Sequence, residues 1–292
     1  MRQGFIMSTF LIQTLNGLTF ASVLFLMAAG FTLIFGLMSI PNMAHGALFM
    51  LGGYLCVTLV DAGLPFALAA LGCAIVVGIL GIMLERAILQ RIAHNELAQV
   101  LATLGMAFVI ADSCKTVWGG MPLEVAVPPR FTGVVSLGEL TFPIYRLFVM
   151  ALAVVTAVAL DLSLSRTLIG ARLRAAVEDR AMARAVGIRV DRLFMTIFFA
   201  GAALVGIGGA IGAPILSVFP GLDMEVLPLV LIVVVLGGTG SIPGAMLGSL
   251  ITGLVHSFGQ SLVPEMSYVL LFVPMIVVLA YRPQGLFGRV AA

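Results

Sequence analysis

Three histidines, one lysine and a block of arginines are the residues of this 292-residue chain whose chemistry could matter most. His45, His94 and His256 share no ligand spacing with one another or with nearby carboxylates, so no metal site is predicted. His256 and Ser257 are neighbours, but consecutive helical residues point about 100° apart and no G-x-S-G sequence accompanies them, which argues against a serine nucleophile. The only lysine, Lys115, follows Cys114 and stands in no G-x-x-x-x-G-K-[ST] motif, so the chain is not expected to hydrolyse ATP through a P-loop. Cys56, Cys73 and Cys114 are scattered through apolar runs without C-x-x-C spacing and read as small core residues. No catalytic constellation, metal or cofactor is therefore expected, and the chain reads as a non-enzyme.

The arginines point elsewhere. Seven of the fifteen basic residues are Arg166, Arg172, Arg174, Arg180, Arg184, Arg189 and Arg192, joined by Glu178, Asp179 and Asp191. Apolar runs long enough to cross a bilayer flank this charged island, so it must lie in water, and its arginine excess assigns it to the cytoplasmic face. Alanines between Ala171 and Val186 predict a helix that Gly187 ends. Arg174 and Glu178, four apart, would form a weak exposed pair. Leu173, Val177, Met182 and Val186 make no single stripe, which predicts a break into two short helices. A merely solvated loop would explain the arginines but not an alanine-rich helix stopped by glycine. Residues 164–192 are accordingly read as a docking element.

The elements that must hold this loop are membrane helices. Hydrophobic residues make up 61% and charged residues 10%, against about 25% charged in soluble domains, and the mean hydropathy is +1.20. A net charge of +2 gives no argument for nucleic acid as a partner. Apolar runs at 10–38, 45–60, 64–84, 97–117, 145–163, 193–216, 225–238, 244–260 and 267–281 predict eight or nine crossings. Those at 45–60, 225–238 and 244–260 are short, Gly-rich or Pro-flanked, and read as broken or re-entrant. The expected fold is an all-α polytopic bundle forming one transmembrane domain over 1–292. With 164–192 inside, alternation puts 85–96 inside, 118–144 outside and the C-terminus inside, in agreement with Arg282 and Arg289. The N-terminus then lies outside, which Arg2 opposes; Met7 is an alternative start. No cleavable signal is expected, since the first apolar run is too long and no A-x-A site follows.

The outer loop carries Pro122, Pro128, Pro129 and Pro143, with Val134–Leu137 and Leu140–Phe142 flanking Gly138–Glu139 as in a small hairpin, and reads as a cap on the outer face. Asp61, Asp112, Asp161 and Glu225 fall at span ends, so no ionisable group is expected near the midplane, and energy is expected from a partner rather than an ion gradient.

A near-repeat supplies the second candidate site. Gly36–Asn42 (G-L-M-S-I-P-N) resembles Gly237–Gly244 (G-G-T-G-S-I-P-G), each following a long run and preceding a short glycine-bearing one. Paired Gly/Pro interruptions in two halves point to a transport route. Ser39, Pro41, Asn42, His45 and Gly46, with Thr239, Ser241, Pro243 and Gly244, are the candidate lining; the bland alternative is that both are helix-start turns. In 193–216, Ala202, Gly206 and Ala210, Gly208 with Gly212, and Gly209 with Ala213 pave faces for close helix packing or a subunit interface.

Five blocks, in this order, resemble the inner-membrane permeases of ABC importers for branched-chain amino acids, the LivH-like branch of the hydrophobic amino acid uptake family. They are A-A-G-F-T-L-I-F-G-L-M-S-I-P-N-M-A-H-G-A-L-F-M-L-G-G-Y (Ala28–Tyr54), L-A-T-L-G (Leu101–Gly105), P-I-Y-R-L (Pro143–Leu147), G-A-R-L-R-A-A-V-E-D-R-A-M-A-R-A-V-G-I (Gly170–Ile188) and V-V-V-L-G-G-T-G-S-I-P-G-A-M-L-G (Val233–Gly248). The resemblance implies a multi-pass permease of a bacterial cytoplasmic membrane, working with a second related permease, two cytoplasmic ABC ATPases that bind the ATP, and a periplasmic solute-binding protein. It also implies alternating access for branched-chain or other hydrophobic amino acids. Gly170–Ile188 matches the family's ATPase-coupling loop, with Arg172 and Arg174 inside it and Glu178, Asp179, Ala183 and Gly187 at its acidic and small positions. The widespread importer form ends that loop with Leu-Pro; here Val190-Asp191 stands instead. The same machine carrying amides, urea or small carboxylates is the nearest alternative. A standalone channel or facilitator, which would need no docking helix, is the alternative from another class.

Overall fold

The computed structural model describes residues 2–38, 42–92, 95–137 and 140–288. It is an all-α bundle with one two-stranded hairpin. In chain order the helices are α1 (Arg2–Met38), α2 (His45–Asp61), α3 (Phe66–Ala87), α4 (Glu96–Trp118), α5 (Ile144–Arg166), α6 (Leu168–Glu178), α7 (Arg180–Ala185), α8 (Val190–Leu216), α9 (Leu222–Gly237), α10 (Ile242–Leu262) and α11 (Ser267–Tyr281). Strands β1 (Val134–Leu137) and β2 (Leu140–Pro143) pair antiparallel between α4 and α5, with Leu137 opposite Leu140, as the alternating residues around Gly138–Glu139 predict.

Among the described residues seven helical segments are long and apolar enough to cross a membrane, the last of them α11 together with the 3-10 turn Pro264–Met266 that leads into it. α2 and α9, with 17 and 16 residues, are not. At 1.5 Å per residue they reach about 26 and 24 Å, short of the roughly 30 Å hydrocarbon core. The run at 244–260, expected to be short, is part of the 21-residue α10. Its start explains the gain: Ser241 Oγ accepts from the Gly244 amide at 3.1 Å and Pro243 sits in the first turn, so the helix begins earlier than hydropathy suggests.

α1 and α8 form the centre, with 78% and 61% of their membrane windows buried, whereas α5 and α11, at 17% and 11%, lie at the perimeter. The small residues of α8 make this possible. A Cβ on Gly209 would lie 2.1 Å from the Phe49 carbonyl oxygen of α2, and one on Gly206 would lie 2.8 Å from the Cys73 carbonyl oxygen of α3. Gly208 and Gly212 face Leu26 and Val23 of α1. These faces are therefore used inside the chain. Cys56, Cys73 and Cys114 are buried free thiols, as expected of core residues.

The segment 119–143 lies over one end of the bundle. Leu123 and Val218 exchange backbone hydrogen bonds of 2.8 Å, tying it to the stretch between α8 and α9. Trp118 stacks on Tyr54 and donates to Thr58 Oγ1 at 2.7 Å, and Tyr145 OH donates to the Ile211 carbonyl at 2.8 Å. The helix ends that flank this segment, Trp118 of α4 and Tyr145 of α5, are thus pinned to α2 and α8 by aromatic side chains with polar tips.

Candidate functional site

The arginine-rich loop folds as α6 and α7. Thr167 caps α6 by accepting from the Gly170 amide at 3.3 Å. Asp179 then breaks the run: its Oδ1 accepts from the amides of Ala181 and Met182 at 2.8 and 2.9 Å, making it the N-cap of α7. α7 ends in a Schellman arrangement, with Ile188 donating to the Ala183 carbonyl and Gly187 to that of Arg184, each at 3.0 Å. Gly187 has φ +86°, which explains the glycine.

The two faces of this unit differ. Leu173, Ala176 and Ala183 are buried against Leu33 and Ile34 of α1 and Val190, Phe194 and Ile197 of α8. Arg180 lies 4.8 Å over the Phe194 ring. Away from these buried residues Val177, Met182 and Val186 are exposed, as are Arg172, Glu178 and Arg184. The Arg174–Glu178 pair is not formed. Arg174 instead turns back and donates to the Leu164 carbonyl, one of the unsatisfied carbonyls at the end of α5, where a cation is favoured. Arg184–Asp191, at 2.8 Å, is the one ion pair among the described residues.

The near-repeat turns are brought together at one point and separated at another. Gly36 abuts Gly240, whose Cα would lie 2.1 Å from an added Cβ. Gly237 and Gly244 pack backbone to backbone, with a Cβ on either meeting the other's carbonyl oxygen at 2.2 Å. Leu286 and Phe287 donate to the Leu236 and Gly237 carbonyls, so the C-terminal segment closes the same end. Asn42, His45 and Gly46 lie deeper. His45 is fully buried, its Nε2 bonded to the Met27 carbonyl at 3.0 Å, and Gly46 packs on the Asp223 carbonyl at the start of α9. Asn42 Oδ1 accepts from the Ala44 amide at 3.0 Å, and the Met43 amide donates to Thr103 Oγ1 at 3.1 Å, which ties the start of α2 to α4. The two groups of residues thus occupy opposite ends of α9. In this conformation Asn42, His45, Gly46 and Gly244 are buried, Ser241 is half-buried, and Thr239 and Pro243 are exposed. The void beside Asn42 and Thr103 is about 10 Å³, barely one water. Ser39 and Pro41 lie outside the described residues, as does His94.

Sequence reading missed two buried carboxylates, which stand at helix ends, as charges were expected to, but inside the protein rather than at its surface. Asp223, in the first turn of α9, and Glu85, near the end of α3, are each 3% exposed. Glu85 accepts from Gln90 at 2.8 Å. Asp223 Oδ1 is buried without a hydrogen-bond partner among the described residues. Hydropathy hid Asp223 because α9 starts inside the bundle rather than at its surface; the signal available was Gly221, whose φ of +105° precedes that start. A polar cavity of about 410 Å³ containing Arg146 was also missed, since its residues come from four separate helices.

Residues 13–279 of this helical bundle match the family described as branched-chain amino acid transport system, permease component. The chain belongs to that family, in line with its reading as a non-enzyme. It is similar to the high-affinity branched-chain amino acid transport system permease protein BraD of Pseudomonas aeruginosa, with 29% identity over 96% of each chain. The corresponding permease LivH of Escherichia coli K12 is 28% identical over 96% of each chain. A probable branched-chain amino acid transport permease LivH of Methanocaldococcus jannaschii is 24% identical over 94% of this chain and 91% of its own. No solved structure matches.

Proposed function

We propose that the chain is the membrane subunit of an ABC importer, carrying branched-chain or other hydrophobic amino acids by alternating access driven by partner ATPases. The observation that carries this reading is the α6–α7 unit. Its underside is welded to α1 and α8 by buried Leu173, Ala176 and Ala183, while its other face offers Val177, Met182 and Val186 among arginines. An exposed apolar patch with a charged surround is what a partner surface needs, and a solvated loop does not. Motion imposed on α6 and α7 would reach α1 and α8, the central helices, through the same packed side chains. A second related permease and a solute-binding protein complete the proposed assembly.

In this reading α6 and α7 face the cytoplasm, together with the C-terminus, and the hairpin faces outward. α2 and α9 then complete nine passes, each beginning inside the bundle where Gly46 meets Asp223. Ser39, Pro41, Asn42, His45 and Gly46, with Thr239, Ser241, Pro243 and Gly244, would flank the route when α9 moves. Backbone at broken helices would then line it, with Asp223 the one carboxylate beside Gly46. A lining otherwise made of backbone and small side chains suits substrates whose variable part is apolar.

Co-purification from the native membrane tests the partner: a tagged chain should bring down ATPase subunits, and a chain that consistently comes alone would support a standalone facilitator instead. Orientation is tested with an impermeant maleimide on whole cells. Ala175 and Thr132 are exposed and the native cysteines buried, so Thr132→Cys should label and Ala175→Cys should not. The opposite pattern reverses the topology.

A further inference from the structure

At the end of the bundle opposite α6 and α7, helices α1, α5, α8 and α10 line a partly open pocket of about 410 Å³. That size falls in the range of about 300–1,000 Å³ typical of small-molecule sites. Its lining is unlike the rest of the bundle: Gln13 and Asn16 from α1, Arg146 from α5, and His256, Ser257 and Gln260 from α10. Polar groups in membrane helices are costly on a lipid face, so they belong to protein or to a wet cavity.

The charge in this cavity is one-sided. Arg146 donates to Asn16 Oδ1 and lies 5.9 Å from the Phe142 ring, and among the described residues no carboxylate is within ion-pair distance of it. A guanidinium carries five N–H donors in a planar fork; among the described residues the bond to Asn16 is the one hydrogen bond this guanidinium makes. The other polar groups are engaged among themselves. Ser257 Oγ donates to Gln13, with the backbone and side-chain oxygens both at 2.8 Å, and Gln260 Nε2 lies 3.2 Å from His256 Nε2. The amide nitrogen can only donate there, so the imidazole nitrogen accepts. The imidazole also stacks on Phe20 at 4.1 Å. The cavity therefore offers a fixed cation with free donors, held in place by Asn16, and no fixed anion.

We propose that this cavity is an entry site in which Arg146 takes the carboxylate of the incoming amino acid by charge-assisted hydrogen bonds. The proposal rests on the amino-acid importer reading and adds to it a specific group that distinguishes an amino acid from its amide. Asn16 is a positioning residue, since it orients the guanidinium.

The test uses the assembled transporter in lipid nanodiscs with Ser261→Cys, at the rim of the cavity, as the thiol reporter; the native cysteines are buried. The rate of maleimide labelling is measured with L-leucine, with leucinamide, which lacks the carboxylate, and with 4-methylpentanoate, which lacks the ammonium. Protection is expected from leucine and 4-methylpentanoate and not from leucinamide. In Arg146→Gln the concentration giving half-protection should rise about tenfold or more, from loss of hydrogen bonds to a charged group, and Arg146→Lys should keep part of the effect. Equal protection by leucinamide, or protection unchanged in Arg146→Gln, overturns the proposal. So does labelling that ignores all three solutes but changes between anionic and zwitterionic nanodiscs, which makes Arg146 a headgroup anchor. The three-solute comparison needs no Arg146 variant, so misfolding of that variant does not remove the test. Radiolabelled leucine uptake by the unmodified transporter separates the two ideas. Uptake without protection leaves the importer reading and removes the site. Protection by 4-methylpentanoate without leucine uptake keeps a carboxylate site and removes the amino-acid reading.

Discussion

Two turns of this molecule are built on glycine for opposite reasons. Where α7 ends, Gly187 takes a left-handed φ of +86° and an added Cβ would meet nothing within 4 Å. Where α9 turns into α10, Gly237 and Gly244 pack so closely that a Cβ on either would lie 2.2 Å from the other's carbonyl oxygen. The first glycine is a dihedral requirement with open space around it. The second pair is a packing requirement, with backbone against backbone. The difference teaches that the α6–α7 loop can be re-shaped locally, whereas the α9–α10 hairpin has no room for even one methyl group.

The largest effect should therefore follow from Gly244→Leu. The atoms in the way are backbone, so nothing flexible can yield, and overpacking of this kind costs about 1–3 kcal/mol or more. Little folded protein should reach the membrane, and what can be purified should show a clearly lowered unfolding midpoint. Gly244→Ala should do the same to a lesser degree. Normal abundance and normal melting of Gly244→Leu would falsify the packing account. The same geometry rules out bulky substitutions at Gly46 or Gly244 as probes of a transport route, because Gly46 also lies 2.4 Å, measured from an added Cβ, from the Asp223 carbonyl oxygen. A blocked route and a broken bundle would look alike.

The two turns were not equally legible. Gly187 could be read as a helix stop because capping is local: the alanines before it and its own lack of a Cβ suffice. The division into α6 and α7 followed from the broken apolar stripe, and Asp179 supplies the capping oxygen at the break. The approximate positions of the helices, the hairpin and the buried cysteines were legible for the same reason, being set by runs of a few to some twenty residues, although the capped start of α10 was not. Tertiary placement was not. Nothing in the sequence of Gly36 says that it rests on Gly240, or that α2 and α9 begin inside the bundle with Asp223 buried between them. Gln13, Arg146 and His256, far apart in the chain, meet only because α1, α5 and α10 do. Arg174 is an instructive failure: the spacing to Glu178 favoured a pair, but the open carbonyl of Leu164 competes for the same guanidinium and holds it.

A middle-sized effect separates dihedral strain from packing. Gly187→Val must place a β-branched residue at positive φ, at a cost of roughly 1–2 kcal/mol, with space to spare. Gly187→Asn should cost much less, since Asn visits this region readily. Asp179→Ala, which removes the cap of α7, should cost about 1 kcal/mol. In each case the bundle should stay folded while the loop loosens, so ATPase activity should become uncoupled from uptake with only a small fall in melting temperature. If Gly187→Val and Gly187→Asn behave identically in coupling, the left-handed geometry is not what matters.

The smallest expected effect on stability is that of Arg184→Ala. Its ion pair with Asp191 has side chains 59% and 74% exposed, and pairs in that setting contribute about 0–1 kcal/mol. The melting temperature should hardly move, and added salt should erase what difference there is. Binding is another matter. Arg184 is exposed on α7, so a partner ATPase that covers it would desolvate the guanidinium and strengthen its interactions. Two readouts on one variant then sharpen the contrast between loop and bundle: unchanged melting, but less ATPase retained on the tagged chain, with the deficit shrinking as salt is raised and screens the contribution of Arg184 in the unmodified chain. Alanine at Arg184 that lowers neither would mean the partner docks elsewhere on α6 and α7, and that this arginine only marks the cytoplasmic side.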